Sequence, residues 1–145
     1  MNILLSESRF MILANRIGAV PMEKLIVWAD ERITNTNEPP SFIIDLALGE
    51  IPVTPEELDF TRNEASEAEI SRLARLILEI LNRTADLNEF GLHCYQLALI
   101  SKGRVCELLH WASDEIHLCS EGVKSFSKSE RLIRGTINEI AATSA

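Results

Sequence analysis

The residues best suited to chemistry lie between about Gly103 and Glu121, a stretch with the spacing of one helix. At about 100° per residue, acids and histidines recur on the side opposite its apolar residues; they are Glu107, His110, Asp114, His117 and Glu121. Histidine and carboxylate side chains four residues apart can bind one metal ion, with His93 from another helix as a further donor. The row nevertheless extends over about 21 Å of helix, so its members cannot converge on one ion. It therefore favours a solvated or partner-binding surface, and we expect no metal and no cofactor.

A second charged feature is the segment 50–69. It holds seven acids and one base, for a charge of −6, whereas the other 125 residues together carry −2. Acids near helix starts interact favourably with the helix dipole, which explains some of them. A concentrated negative patch also steers a basic protein partner towards its site. The predicted partner-binding residues are Glu56, Glu57, Asp59 and Glu64 from this segment, with Glu107, His110, Asp114 and His117 from the row described above.

The sequence contains no motif of the common enzyme classes. G-x-S-x-G, H-E-x-x-H, G-x-G-x-x-G, P-loop and paired C-x-x-C patterns are all absent. We therefore predict that the protein is not an enzyme, and keep open an enzyme that uses His93, His110 or His117. The net charge of −8 repels phosphate backbones, so direct binding to nucleic acid is not expected.

Helical patterns extend along the whole chain and predict an all-α fold. Apolar residues recur at helical spacing, Gly and Pro separate the segments, and no segment alternates with period two. An acid three positions after a capping residue predicts helix starts at Thr54, Ser66, Asp86 and Ser127. With 145 residues, the chain suits one domain, and we predict a single compact domain over 1–145 with about six to eight helices. In the last helix, the residues expected to be buried are Leu132, Ile133, Ile137 and Ile140.

The sequence also indicates the compartment. Its start, MNILLSESRF, does not open with basic residues as a signal peptide does, and it reaches Glu7 before any long apolar stretch. The longest uncharged run, 90–101, is shorter than a membrane span. Three cysteines without C-x-x-C spacing favour reduced thiols; they are Cys94, Cys106 and Cys119. We therefore expect a cytoplasmic protein with no membrane contact.

The segment 25–48 resembles a pattern found in small helical bacterial immunity proteins. The pattern, W-A-D-x-x-I and then P-P-x-x-[IL]-[IL]-[DE]-L-[SA]-L, is matched by WADERI at 28–33 and PPSFIIDLAL at 39–48. The resemblance carries no catalytic or partner-contacting residue, and its residues look architectural, with Trp28 and Ile33 in a core. It implies a cytoplasmic antidote similar to the immunity proteins of contact-dependent growth inhibition systems. Such proteins bind the C-terminal toxin domain of a cognate effector, often a nuclease, and block its active site.

The resemblance and the charge together predict the partner. Nuclease toxins are commonly basic because they hold phosphates, so an acidic inhibitor can occupy the surface that nucleic acid would use. We expect the cognate toxin C-terminal domain as partner, with a monomer or weak dimer when the protein is alone. The alternative is a helical adaptor or assembly subunit, which would expose a large apolar patch and form a stable oligomer.

Overall fold

The computed structural model describes residues 2–59 and 65–143. These two ranges form seven α-helices and one short 3₁₀ turn, without a strand, so the all-α prediction is confirmed. None of the helices described there is long and apolar enough to cross a bilayer. Contacts divide the chain into two compact units, Met1–Glu64 and Ala65–Ala145. The single domain over 1–145 stays a prediction.

The first unit builds a small core from three helices and the 3₁₀ turn. These elements are α1 (Ile3–Arg16), α2 (Met22–Thr34), α3 (Ser41–Ala47) and the turn Glu56–Leu58. The buried residues of this core are Ile12, Leu25, Ala29, Phe42, Ile43, Leu46 and Leu58. Trp28 and Ile33 pack against it while staying partly exposed. Trp28 and Ile33 therefore lie at the edge of this core, whereas Val27, Ile44 and Leu48 of the segment 25–48 are exposed.

The helix start predicted at Thr54 is wrong. Pro55 occupies the position before the first helical residue, no side chain caps the element, and the turn ends after three residues. A capping side chain must come from the residue directly before the first helical residue, which here is Pro55. The Thr54 hydroxyl lies one residue too early to accept a hydrogen bond from the free N–H groups of the turn. The turn is fixed by other contacts, since Leu58 is buried and the Arg9 guanidinium donates to the Glu57 carbonyl.

The second unit consists of four longer helices, and two of its predicted starts are confirmed. The helices are α4 (Glu67–Thr84), α5 (Leu87–Leu99), α6 (Gly103–Ser120) and α7 (Phe126–Ala142). Ser66 and Glu69 form a complete capping box, with the Ser66 Oγ accepting at 3.2 Å and the Glu69 Oε1 accepting at 2.9 Å. The Asp86 carboxylate caps α5 by accepting from the N–H of Glu89 at 3.0 Å. The start predicted at Ser127 is wrong, because α7 begins at Phe126, directly after Ser125.

Packing in the second unit pairs α5 with α6 and α4 with α7. The apolar face of α4 is buried, as are three of the four residues predicted for α7, namely Ile133, Ile137 and Ile140. Leu132 is 63% exposed, contrary to the prediction, since it lies about 100° round the helix from Ile133. The end of α7 is held by α4, because Ser71 Oγ and Arg75 Nη1 donate to the Ala141 carbonyl at 2.5 and 2.8 Å.

Candidate functional site

The predicted acidic residues of the first unit lie on and beside the 3₁₀ turn. Glu56 and Glu57 are exposed, Asp59 is half-buried, and Glu64 lies outside the described residues. The buried Arg9 guanidinium beneath Glu57 brings a positive charge close to this group. The turn therefore presents two exposed carboxylates on a fixed backbone. The positive charge of Arg9 partly neutralises their negative potential.

The predicted row on α6 is exposed along most of its length. Glu107, Asp114 and His117 are exposed, and His117 Nε2 lies 4.0 Å from Glu121 Oε1. Within the described chain, neither Glu107 nor Asp114 forms an ion pair. These two exposed carboxylates on α6 thus have no ion-pair partner among the described residues.

His110 lies at the border between this row and the adjacent helix. It is half-buried, and its ring contacts Tyr95 of α5 edge-on, with ring centroids 5.9 Å apart and planes inclined by 66°. Glu107 precedes His110 by one helical turn and Asp114 follows it by one turn, so Tyr95 adjoins the row between these two carboxylates. His110 therefore connects the charged face of α6 to the surface of α5.

Sequence reasoning missed the outer surface of α5, which is apolar. Leu92, Tyr95 and Leu99 are 57%, 43% and 57% exposed, and their spacing of three and four residues places them on one side of the helix. The uncharged run 90–101 carries no signal for this exposure, because apolar residues on several sides of a helix normally indicate that it is covered. We call the surface formed by Leu92, Tyr95, Leu99, Glu107, His110 and Asp114 the α5–α6 face.

The three histidines lie in three separate settings. His93 is buried, with Nε2 3.7 Å from Glu89 Oε1 on the same helix, whereas His110 contacts Tyr95 and His117 lies near Glu121. In residues 2–59 and 65–143, no three His, Cys, Asp or Glu side chains come together as metal ligands would. In the described residues, His93 and the α6 row thus form no cluster of three metal ligands.

The three cysteines are free thiols with different exposure. Cys94 is buried, whereas Cys106 and Cys119 are half-buried. Burial raises the pKa of the Cys94 thiol from 9.0 to about 12, because the apolar surroundings disfavour a thiolate. The Cys106 Sγ donates to the Ala98 carbonyl at 3.4 Å. Cys94 therefore serves packing and stays protonated at neutral pH.

A search of protein-family models, of curated proteins and of solved structures found no match to this chain. The fold and the candidate site define an all-α chain with an exposed face that joins apolar residues to carboxylates without ion-pair partners in the described residues. Such a face can bind a protein of complementary charge.

Proposed function

We propose that the protein is a cytoplasmic antidote that binds a basic toxin domain and blocks it by protein–protein contact. The observation that carries the proposal is the pair of exposed carboxylates, Glu107 and Asp114, which form no ion pair in the described chain and adjoin exposed apolar residues. An apolar centre with a charged edge is typical of specific protein interfaces. The resemblance of the segment 25–48 to immunity proteins supports the same assignment, with no catalysis and no cofactor.

The charge of the chain explains why the partner is basic. A net charge of −8 attracts a positively charged domain over long range and speeds its association at low ionic strength. A basic nuclease domain holds its substrate through phosphate contacts. An acidic inhibitor seated on that surface excludes the nucleic acid without performing any reaction itself.

The proposal is tested by calorimetry at two salt concentrations. The partner is the C-terminal domain of the protein encoded immediately upstream in the source genome. We expect tight one-to-one binding that weakens with salt, and inhibition of the toxin domain's activity at the same ratio. No heat change with a folded partner would reject this pairing.

Charge variants give the same experiment a control. Reversal of Glu107 and Asp114 to Lys slows association about tenfold or more at low salt, because the steering charges change sign. Reversal of Glu79 and Glu139, which are exposed on α4 and α7, changes the net charge by the same amount and has the smaller effect. Equal effects from both pairs would remove the α6 carboxylates from the interface.

The second candidate function is a helical adaptor or assembly subunit. The exposed Leu92, Tyr95 and Leu99 favour it, because apolar surface of this kind also marks permanent subunit contacts. Analytical ultracentrifugation of the protein alone separates the two functions. A concentration-independent oligomer favours the adaptor, whereas a monomer or weak dimer favours the antidote.

A further inference from the structure

We infer that the basic partner binds the α5–α6 face, with Tyr95 as its central anchor, and that it presents apolar side chains flanked by lysine or arginine. This inference rests on the proposed function and adds to it the contact surface and the chemistry of the contacting segment. Both acidic groups predicted from the sequence were candidates for that surface. The structure distinguishes them.

The apolar part of the face has the dimensions of a docking surface for a helix or a loop. Leu92 and Leu99 lie two turns apart on α5, about 10 Å along the axis, and Tyr95 stands between them. Tyr95 is 43% exposed while its ring rests edge-on against His110. A tyrosine held in place before binding loses little conformational freedom on contact, and tyrosines are frequent binding hot spots.

The charged part of the face determines which partner fits. Glu107 and Asp114 flank His110 by one turn on either side, so their carboxylates lie along one edge of the apolar stripe. Neither has an ion pair in the described residues, so each can accept a lysine or arginine from a partner. A second copy of this chain is the less favourable occupant, because each copy carries −8 and association would bring like charges together.

The 3₁₀ turn is the weaker candidate for the main contact. Leu58 at its centre is buried, and the Arg9 guanidinium lies beneath Glu57. Glu56 and Asp59 already have partners within the chain. Glu56 and Asp59 are therefore already engaged, whereas Glu107 and Asp114 form no ion pair in the described residues.

The contact is located by amide NMR shifts of the labelled protein during titration with the upstream-encoded domain. We expect the largest changes in 92–99 and 107–114, with smaller changes in 56–59. The Tyr95→Ala variant and the Leu92→Ser/Leu99→Ser variant raise the Kd about tenfold or more, because they remove the anchor and its apolar neighbours. The Leu132→Ser variant is the matched control, since Leu132 is a similarly exposed leucine on α7, and the Kd of this variant stays unchanged.

The outcomes distinguish the inference from the proposed function. If the domain binds but the shifts centre on 56–59 and Tyr95→Ala has no effect, the inference is wrong and the antidote function stands. If the domain does not bind, the probe becomes a synthetic amphipathic helix of leucine and lysine. Saturable shifts on the α5–α6 face that Tyr95→Ala abolishes then support the inference, and no shifts overturn it. A stable dimer that Tyr95→Ala dissociates would also overturn it, because a second copy would cover the face.

Discussion

Gly91 of α5 lies directly against Ile116 of α6, so that a Cβ atom added at Gly91 would stand only 2.9 Å from Ile116 Cγ2. Contacts this short are not tolerated, and the β-branched isoleucine has few alternative rotamers with which to move away. The absence of a side chain at Gly91 therefore sets how closely α5 approaches α6. The same spacing places Tyr95 beside His110, which links the core of the second unit to the candidate site.

We expect Gly91→Ala to destabilise the protein, contrary to the usual effect of this substitution in a helix. Alanine normally gains about 0.5–1 kcal/mol over glycine in a helix interior. Here the added methyl group overpacks the contact with Ile116, which costs about 1–3 kcal/mol. Urea unfolding followed by circular dichroism measures the difference in the free energy of unfolding.

The control for this prediction is Gly135→Ala on α7, where an added Cβ would meet nothing within 4 Å. This variant should be more stable than the wild type. In an Ile116→Ala background, Gly91→Ala should become neutral or stabilising, because the clashing methyl group is gone. A loss that persists in that background would show that the contact with Ile116 is not its cause.

Ser66→Ala should lower the free energy of unfolding by about 1 kcal/mol, since Ser66 caps α4 by accepting from the N–H of Glu69. Thr54→Ala is the matched variant, because Thr54 also precedes two glutamates but no side chain caps the turn that follows. The free energy of unfolding of Thr54→Ala should stay within about 0.5 kcal/mol of the wild-type value. Chemical unfolding of both variants measures the two values, and equal losses would contradict the cap assignment.

Ser71 and Arg75 donate to the same acceptor, the Ala141 carbonyl, so their loss should be non-additive. Ser71→Ala alone should cost about 1 kcal/mol, because Arg75 still satisfies the carbonyl. With both donors removed, the carbonyl in the last turn of α7 loses its contacts with α4, and the cost should exceed the sum of the single losses. A double-mutant cycle by urea unfolding measures this coupling, and strictly additive losses would show that the two bonds act independently.

Alkaline pH should destabilise the protein through Cys94. Burial raises the pKa of this thiol to about 12, so below pH 9 the folded and unfolded chains both keep the proton. Above pH 9 the unfolded chain releases it while the folded chain retains it. The free energy of unfolding therefore falls by up to about 1.4 kcal/mol per pH unit.

The test compares the wild type with Cys94→Ala at pH 8 and pH 10. The alanine variant is less stable at pH 8, because it loses buried apolar volume. The difference in the free energy of unfolding between the two proteins should be smaller by about 1 kcal/mol at pH 10, because only the wild type is destabilised by the thiol. A thiol reagent at pH 8 should modify Cys106 and Cys119 well before Cys94. If the difference in stability is the same at both pH values and Cys94 is labelled rapidly, Cys94 is not the buried thiol with a raised pKa that the structure describes.

The helical architecture was predictable because its signals are local. The starts at Ser66 and Asp86 depend on a residue and its neighbour three positions later, and both formed as predicted. Thr54 and Ser127 show the same local signal, but Pro55 and Ser125 take the position before the first helical residue. A capping pattern indicates that a helix begins nearby, whereas the competing neighbours decide at which residue.

The candidate site was predictable only in part. Charges on α6 could be located from spacing alone, because a single helix fixes their relative positions. The exposure of Leu92, Tyr95 and Leu99 could not be predicted, since it depends on which sides of α5 other helices cover. The contact between Tyr95 and His110 joins two helices, and no spacing within either helix predicts it.

Arg9 donates to the main-chain carbonyl of Glu57 and not to its side chain, so this hydrogen bond does not restrict which residue can replace Glu57 during evolution. Every residue type offers the same carbonyl, so the link to α1 survives when the side chain at position 57 is replaced. The position can lose or reverse its charge from one descendant to the next while the turn keeps its place.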